Sequence, residues 1–376
     1  MQPKAARNIS IEALRLVAVA GIAVFHTFQW AFQAACAGMP EYAPFAAFPY
    51  SGVLGFINLL GCWANEVFFM ISGYFLIASA AHSWNDGTTW ASQMQRTVQR
   101  LGKVVFPTAF YCLVALAWST VISPIPDVSL ATHYWYTLGL EFIWVYAATV
   151  CMAPLFGLAK NRLSKRSYTA AVITIGILAF VANGYLAAMS SANGGEFSWL
   201  QKIMSAATYV VAVLIGGLLR DVTDAMDSGR VRALGSRSLI AVLAIAIVLE
   251  STLSFTGSLT AMATLSYKST SLISFALAAA SLLFAATRRS ASGNPRTAGV
   301  IVTLSNATLG FYVMQSLTSS LWRPIFNAML ANILVAQSSP ASICIVTGTV
   351  ISIVFALMLL VVDAVRNRIL RSLKQQ

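Results

Sequence analysis

Long apolar runs separated by short polar stretches fill almost the whole chain. They recur from residue 9 to residue 365, and each is long enough for the roughly 20 residues that a helix needs to cross a bilayer. The pattern predicts an all-α polytopic membrane protein, a bundle of about ten transmembrane helices that forms a single domain over residues 1–376. The predicted spans are 9–33, 53–80, 101–123, 133–158, 168–190, 199–219, 238–256, 263–287, 300–321 and 341–364.

The placement of the basic residues predicts an orientation. The chain has 24 Lys and Arg against 12 Asp and Glu, a formal net charge of +12. With ten spans, every Lys and Arg lies at the termini, loops or helix ends of one side, except Lys202, Lys268 and Arg323. Since cytoplasmic loops are enriched in Lys and Arg, both termini are predicted to be cytoplasmic. The positive charge therefore indicates topology, and membrane lipid rather than nucleic acid is the expected partner of these loops.

The composition narrows the class of protein further. Hydrophobic residues make up 58% and charged residues only 10%, against about 25% charged residues in soluble domains. The five cysteines are scattered singly, so neither a disulfide framework nor a metal site is predicted. The start of the chain could resemble a signal peptide, but Arg15 and His26 interrupt its apolar stretch, which favours a first helix. The expected location is the cytoplasmic membrane of a bacterium, as a multi-pass protein.

Ionisable residues inside the predicted spans are the first candidates for function, because burying them in lipid is costly. Arg15 and His26 are eleven residues apart, which places them on one helix face roughly 16 Å apart. The imidazole titrates near neutrality and suits proton transfer. Glu66 in the second span needs a partner, which His26 or an arginine could supply. Structural roles stay open for all three: a headgroup anchor, an interhelical hydrogen bond and an ion pair.

Two further groups lie near the predicted ends of spans. Arg96, Arg100 and Lys103 follow helical spacing before the third span, where guanidinium and ammonium groups together suit a phosphorylated ligand. The enrichment of cytoplasmic loops in basic residues explains the same pattern without a ligand. His133 lies at the outer start of the fourth span, where it could approach the same outward-facing site as His26. His82 lies in a polar loop and is interpreted as incidental.

Together these segments resemble the acyltransferase-3 family of integral membrane O-acyltransferases. The resemblance rests on several motifs in order, and most of the specific ones lie in the first 140 residues. They are the Arg-x10-His of Arg15 and His26, the second-helix motif at 66–74, Arg100-Leu-Gly-Lys103 before Pro107, the His-x-Trp at 133–135, and the late helix at 304–315, in which Gln315 replaces the histidine of many members.

The resemblance implies an enzyme that moves an acyl group, acetyl by family habit, from cytoplasmic acyl-CoA to a hydroxyl. The acceptor would be a carbohydrate or glycolipid, for example in exopolysaccharide biosynthesis, and no metal would be needed. His26, oriented by Glu66, would be the general base or a transient acyl carrier, and His133 would bind the acceptor or the oxyanion. Arg100 and Lys103, assisted by Arg15, would hold the phosphates of CoA.

Two other classes of function are weighed against this one. In a proton-coupled secondary transporter or lipid-linked-sugar flippase, Glu66 and His26 would form a proton relay, although no inverted repeat is evident. A non-catalytic scaffold would have little reason to retain buried ionisable residues. Small residues on the helices suit either internal packing or a homo-oligomer.

Overall fold

The protein is built almost entirely of helices. A computed structural model describes residues 8–129, 131, 139–192, 198–266, 271–288, 294–336 and 340–373, and these residues contain no β-strand. A short 3₁₀ helix, Pro40–Tyr42, precedes α2. The α-helices are α1 Ile9–Cys36, α2 Ala43–Ala46, α3 Tyr50–Asn85, α4 Trp90–Val121, α5 Glu141–Arg162, α6 Lys165–Ala192, α7 Ser198–Ala225, α8 Ser228–Phe255, α9 Leu259–Leu265, α10 Leu272–Thr287, α11 Pro295–Ser305, α12 Thr308–Leu317, α13 Ser319–Ala336 and α14 Pro340–Leu373.

Most of these helices are long and apolar enough to cross a membrane. Eight meet this condition alone in the described part of the chain: α1, α3, α4, α5, α6, α7, α8 and α14. The pair α11 and α12, bent by 41°, makes a ninth span if taken together, and α10 is a shorter apolar helix of 16 residues. The all-α polytopic fold is therefore confirmed, and the ten predicted spans each correspond to helical structure. The cytoplasmic placement of both termini stays a prediction.

Two predicted boundaries are wrong. The span predicted at 263–287 is divided, because α9 ends at Leu265 and α10 begins only at Leu272. The outer loop predicted at 322–340 is largely the helix α13, which contains Pro324. Arg323 and Pro324 interrupt the apolar run in the sequence, and proline usually disfavours a helix interior. Here the tertiary packing of the helix overrides that local signal.

The start of α1 is fixed by a cap that also joins two helices. The Asn8 side-chain oxygen accepts from the backbone N–H groups of Ser10 and Ile11, at 3.0 and 3.3 Å. Such a cap satisfies N–H groups that lack partners within the helix. The Asn8 amide also donates to the backbone carbonyl of Ala286 at the end of α10, at 3.2 Å. This contact sets the position of the residues that follow on α1.

Helix α3 lies at the centre of the bundle, in contact with α1, α5, α7, α8 and α10. Its closest neighbour is α7, and glycines on both helices make that approach feasible. A Cβ atom on Gly73 would overlap the backbone of Val213, and one on Gly216 would overlap the backbone of Met70. Small residues at such positions let membrane helices pack backbone to backbone. The result holds the polar middle of α3 inside the protein.

Candidate active site

A cavity of about 800 Å³ lies among α1, α3, α5, α7, α12 and α13. His26 lies on its wall, in the second half of α1. The same wall is rich in side-chain amides, which both donate and accept hydrogen bonds. Because neighbouring spans alternate in direction, this cavity lies in the half of the bundle away from the Arg- and Lys-rich helix ends. The amides that line it are Gln29, Gln33, Asn58, Asn65 and Gln315.

The imidazole of His26 has two close polar neighbours at the same nitrogen. Its Nδ1 lies 3.4 Å from the Gln29 side-chain oxygen and 3.3 Å from Nη2 of Arg323. Gln29 follows one turn later on α1, whereas Arg323 comes from α13. The indole of Trp322 donates to the Gln315 carbonyl at 2.9 Å and so ties α13 to α12 beside the cavity. This tie positions the arginine next to the imidazole.

Aromatic rings form another part of the cavity wall. Tyr209 on α7 lines the cavity and stacks on Phe69 of α3, with ring centroids 4.5 Å apart and an interplanar angle of 11°. Phe142 on α5 also lines it and packs against the ring of Tyr312 on α12 at 4.6 Å. The wall thus combines polar groups at its sides with flat apolar surfaces.

Glu66 is not where the sequence analysis expected it. Its side chain is buried at 1% exposure, and within the described residues neither carboxylate oxygen has a hydrogen-bond partner. The expected hydrogen bond to His26 is therefore absent from the structure. Asn65, the preceding residue, does line the cavity. Consecutive helix positions differ in direction by ~100°, so Glu66 turns into the packed core instead. A catalytic role for Glu66 stays a prediction without this contact.

The second predicted histidine lies outside the described residues. His133 belongs to the segment 132–138, which immediately precedes the described residues Gly139 and Leu140. Gly139 and Glu141 line the cavity. The expectation that His133 reaches the site of His26 stays a prediction.

The predicted donor residues lie toward the other end of the bundle. Arg100 donates to the Ser79 hydroxyl at 3.0 Å, and Arg96 donates to the Ser83 hydroxyl, so both arginines of α4 are held against α3. Lys103 is exposed. The structure thus presents Arg96, Arg100 and Lys103 at one end of the bundle, and their binding of CoA phosphates stays a prediction.

Arg15 is engaged elsewhere. Its Nη1 lies 2.9 Å from a carboxylate oxygen of Glu12, which is 8% exposed and also accepts from the hydroxyl of Ser305 on α11. The structure therefore gives Arg15 a partner on its own helix, and Glu12 in turn links α1 to α11.

Several polar residues of interest were missed by the sequence analysis. Gln29 had a signal in the sequence, because it is a polar residue three positions after a histidine within an apolar run. Arg323 had no such signal. Two further buried carboxyl groups also escaped it. Glu250 accepts from the Ser266 hydroxyl at 3.4 Å beside the cavity, and Asp363 near the end of α14 accepts from Tyr111 at 2.7 Å. The signal in the sequence for both Glu250 and Asp363 was an acidic residue near the end of an apolar run.

Comparison with known proteins gives one family match. The acyltransferase-3 family model, described as an acyltransferase domain, matches residues 8–360, nearly the whole chain. No curated protein and no solved structure matches the chain. The matched range includes every described residue that lines the cavity and the Arg100 group.

Proposed function

The chain belongs to the acyltransferase-3 family and is a membrane acyltransferase, and from this premise we propose that it moves an acyl group from cytoplasmic acyl-CoA to a hydroxyl of a sugar or envelope polysaccharide. The observation that carries the proposal is the cavity that places His26 among amides and aromatic rings. Amides that donate and accept, together with flat apolar rings, suit a ligand that is rich in hydroxyl groups. Acetyl is the acyl group we expect.

The proposed reaction needs a base for the acceptor hydroxyl. His26 takes the hydroxyl proton while the hydroxyl oxygen attacks the carbonyl carbon of the thioester. A C–O bond forms, the C–S bond breaks, and the CoA thiolate receives the proton from the imidazolium. The products are an ester and free CoA, so no metal or oxidant is required. Gln315, which is 3% exposed, lines this cavity and is available to bind the acceptor.

The donor is proposed to enter from the end of the bundle that carries Arg100 and Lys103. Their guanidinium and ammonium groups suit the phosphates of CoA. Helix α5 runs from the cavity wall, at Phe142, toward its basic end at Lys160 and Arg162. The acyl arm would follow this direction to reach His26. Arg15, already paired with Glu12, has the weaker claim to a phosphate.

Equilibrium binding of acetyl-CoA and free CoA to the detergent-solubilised protein tests the donor side. Arg100→Ala should weaken binding about tenfold or more, since a hydrogen bond to a charged group contributes ~1.5–3 kcal/mol, and Lys103→Ala should weaken it too. Arg230→Ala is the matched control, because Arg230 carries the same charge on the same side with 83% side-chain exposure. Unchanged affinity in the Arg100 variant would remove it from the donor site.

Acyl transfer in membranes tests the chemical step. With radiolabelled acetyl-CoA and native envelope material, His26→Ala should lower transfer by about 10²–10⁴-fold, the usual contribution of general acid–base catalysis. His82→Ala is the control, because its side chain is 80% exposed and distant from the cavity wall. The His26 variant should keep wild-type CoA affinity, which separates lost chemistry from lost folding. Full transfer by this variant would contradict the proposed base.

One observation favours the transporter as a second candidate. Glu66 is a buried carboxyl group with no hydrogen-bond partner among the described residues, and such groups occur in proton relays of transporters. Proton flux that depends on a sugar substrate and consumes no acyl-CoA, measured in proteoliposomes, would favour this reading. Loss of that flux in Glu66→Gln would assign the relay to this residue.

A further inference from the structure

The two neighbours of His26 Nδ1 make opposite demands on that nitrogen. The Gln29 side-chain oxygen, at 3.4 Å, only accepts a hydrogen bond, so it requires a proton on Nδ1. The Arg323 guanidinium, at 3.3 Å, only donates, so it requires a lone pair on Nδ1. A neutral imidazole satisfies one of them at a time. The partner that holds Nδ1 therefore decides whether Nε2 carries a lone pair or a proton.

Only one of these two arrangements yields a base at Nε2. When Nδ1 donates to Gln29, Nε2 has a lone pair and can take a proton. When Nδ1 accepts from Arg323, Nε2 already carries its proton and can only donate. Moreover, a guanidinium beside the ring opposes the imidazolium that forms when His26 takes the acceptor proton, since like charges repel. Arg323 must therefore leave Nδ1 before proton transfer from the acceptor.

Arg323 has a reason to leave when the acyl donor arrives. It lies on the cavity wall, and within the described residues no carboxylate lies at ion-pair distance from it. Attack on a thioester places negative charge on the carbonyl oxygen, and a guanidinium is a strong donor to such an oxyanion. Movement of Arg323 to that oxygen would free Nδ1 to donate to Gln29.

We propose that Gln29 is the positioning residue that makes His26 a base, and that Arg323 exchanges Nδ1 of His26 for the carbonyl oxygen of the transferred acyl group. This inference rests on the proposed function, which it deepens by assigning the tautomer and the oxyanion donor. In the step, the acceptor proton moves to Nε2, the new C–O bond forms, and the electron pair on the carbonyl oxygen is held by Arg323. Collapse then breaks the C–S bond, and the thiolate takes the proton from Nε2.

Other titratable groups around this ring enter any measurement of pH dependence. Five helices each contribute one titratable or charged side chain to the cavity wall. Behind the wall, Glu66 is buried beside Asn65 on α3, and Glu250 of α8 accepts from Ser266, which lines the cavity. The described residues of α9 and α14 contribute no charged side chain to the wall. The five are Cys62 on α3, Glu141 on α5, Tyr209 on α7, Tyr312 on α12 and Arg323 on α13.

The tautomer of His26 can be measured directly by ¹⁵N NMR of histidine-labelled protein in lipid bilayers, with neither donor nor acceptor present. The chain has 3 histidines, and His26→Gln identifies the signals of His26 by their loss. Gln29→Leu should leave His26 with the proton on Nε2, whereas Arg323→Met should move it to Nδ1. Without the donor, wild type should also carry the proton on Nε2, so Arg323→Met alone is expected to change the tautomer. An unchanged tautomer in both variants would overturn the inference.

Acyl transfer supplies the second readout. Both variants should transfer slowly: Gln29→Leu because the base is lost, and Arg323→Met by about 10²–10³-fold, as for loss of one oxyanion donor. Gln29→Glu should restore transfer, because a carboxylate also accepts from Nδ1. It should move the acid limb of the pH–rate profile to higher pH, since the carboxylate stabilises the imidazolium. An acid limb that stays in place would contradict the role of Gln29.

The two proposals fail in distinguishable ways. Wild-type protein that transfers no acyl group from CoA contradicts the proposed function, whatever the tautomer. Wild-type protein that transfers acyl groups, while the Gln29→Leu variant keeps its rate and the Arg323→Met variant keeps its tautomer, contradicts this inference alone. If Gln29→Leu does not fold, Gln29→Glu and Arg323→Met still test both assignments.

Discussion

At the scale of single residues, some buried charges in this protein, unlike Glu66, are compensated by close and specific partners. Asp363 is the clearest case at 1% exposure. It accepts from Tyr111 at 2.7 Å and from the Asn367 amide at 2.8 Å, and it pairs with Arg366 at 2.9 Å. The Arg366 guanidinium also lies over the Tyr111 ring, 5.0 Å from its centroid. Removal of either charged partner would leave the other in an apolar environment.

A double-mutant cycle tests this compensation. Asp363→Leu should lower the free energy of unfolding by about 3–5 kcal/mol, because it leaves a buried guanidinium unpaired. The double variant Asp363→Leu with Arg366→Met should recover most of the loss, since an apolar pair of similar volume is often neutral. Reversible unfolding in mixed micelles measures both. A double variant as unstable as the single one would show that the pair does not act as a unit.

At the scale of helices, the distance between α3 and α7 is set by glycines, and this distance places Asn65 and Tyr209 on one cavity wall. A methyl group on Gly73 would meet the α7 backbone, whereas one on Gly184 of α6 would have no atom of the described residues within 4 Å. The same substitution should therefore have opposite effects in the two helices.

We expect Gly73→Ala to destabilise the protein by about 1–3 kcal/mol through overpacking. Gly184→Ala should stabilise it by up to ~1 kcal/mol, because alanine has the higher helix propensity. Thermal unfolding of the two variants beside wild type measures the contrast. Equal effects of the same sign would mean that the close approach of α3 and α7 does not limit stability.

At the scale of the whole molecule, the basic helix ends and the cavity are separated along the bundle. This separation matters because the proposed donor, acyl-CoA, is cytoplasmic and the proposed envelope acceptor is not. The asymmetry in Lys and Arg predicts that Ser164, in the turn between α5 and α6, faces the cytoplasm. It predicts that Thr256, after α8, faces the opposite side. Both residues are exposed.

Cysteine accessibility tests this orientation. In a variant without the five native cysteines, Thr256→Cys should react with a membrane-impermeant maleimide added to intact spheroplasts. Ser164→Cys should react only after the membrane is permeabilised. The reverse pattern would mean that the protein has the opposite orientation in the membrane and that the Arg100 group lies on the wrong side for acyl-CoA.

The sequence by itself determined the class of fold, the approximate positions of most spans and the family, because each depends on signals that are local or ordered along the chain. Apolar length marks a membrane helix, and the order of Arg15, His26, Glu66 and Arg100 marks the family. It singled out His26, which the structure places on the wall of a polar cavity, and the catalytic role of His26 stays a prediction. What the sequence could not determine was which side chains meet across helices.

Only the tertiary structure decided the partners of these residues. It turned Glu66 into the core, joined Glu12 to Ser305 of α11, and brought Arg323 from a predicted loop to within 3.3 Å of His26. The physical reason is that rotation of each helix about its axis and the packing of α13 depend on contacts between residues far apart in the chain. A rotation of ~100° separates consecutive residues on a helix. A shift of one position along the helix therefore moves a side chain from the cavity wall into the packed core.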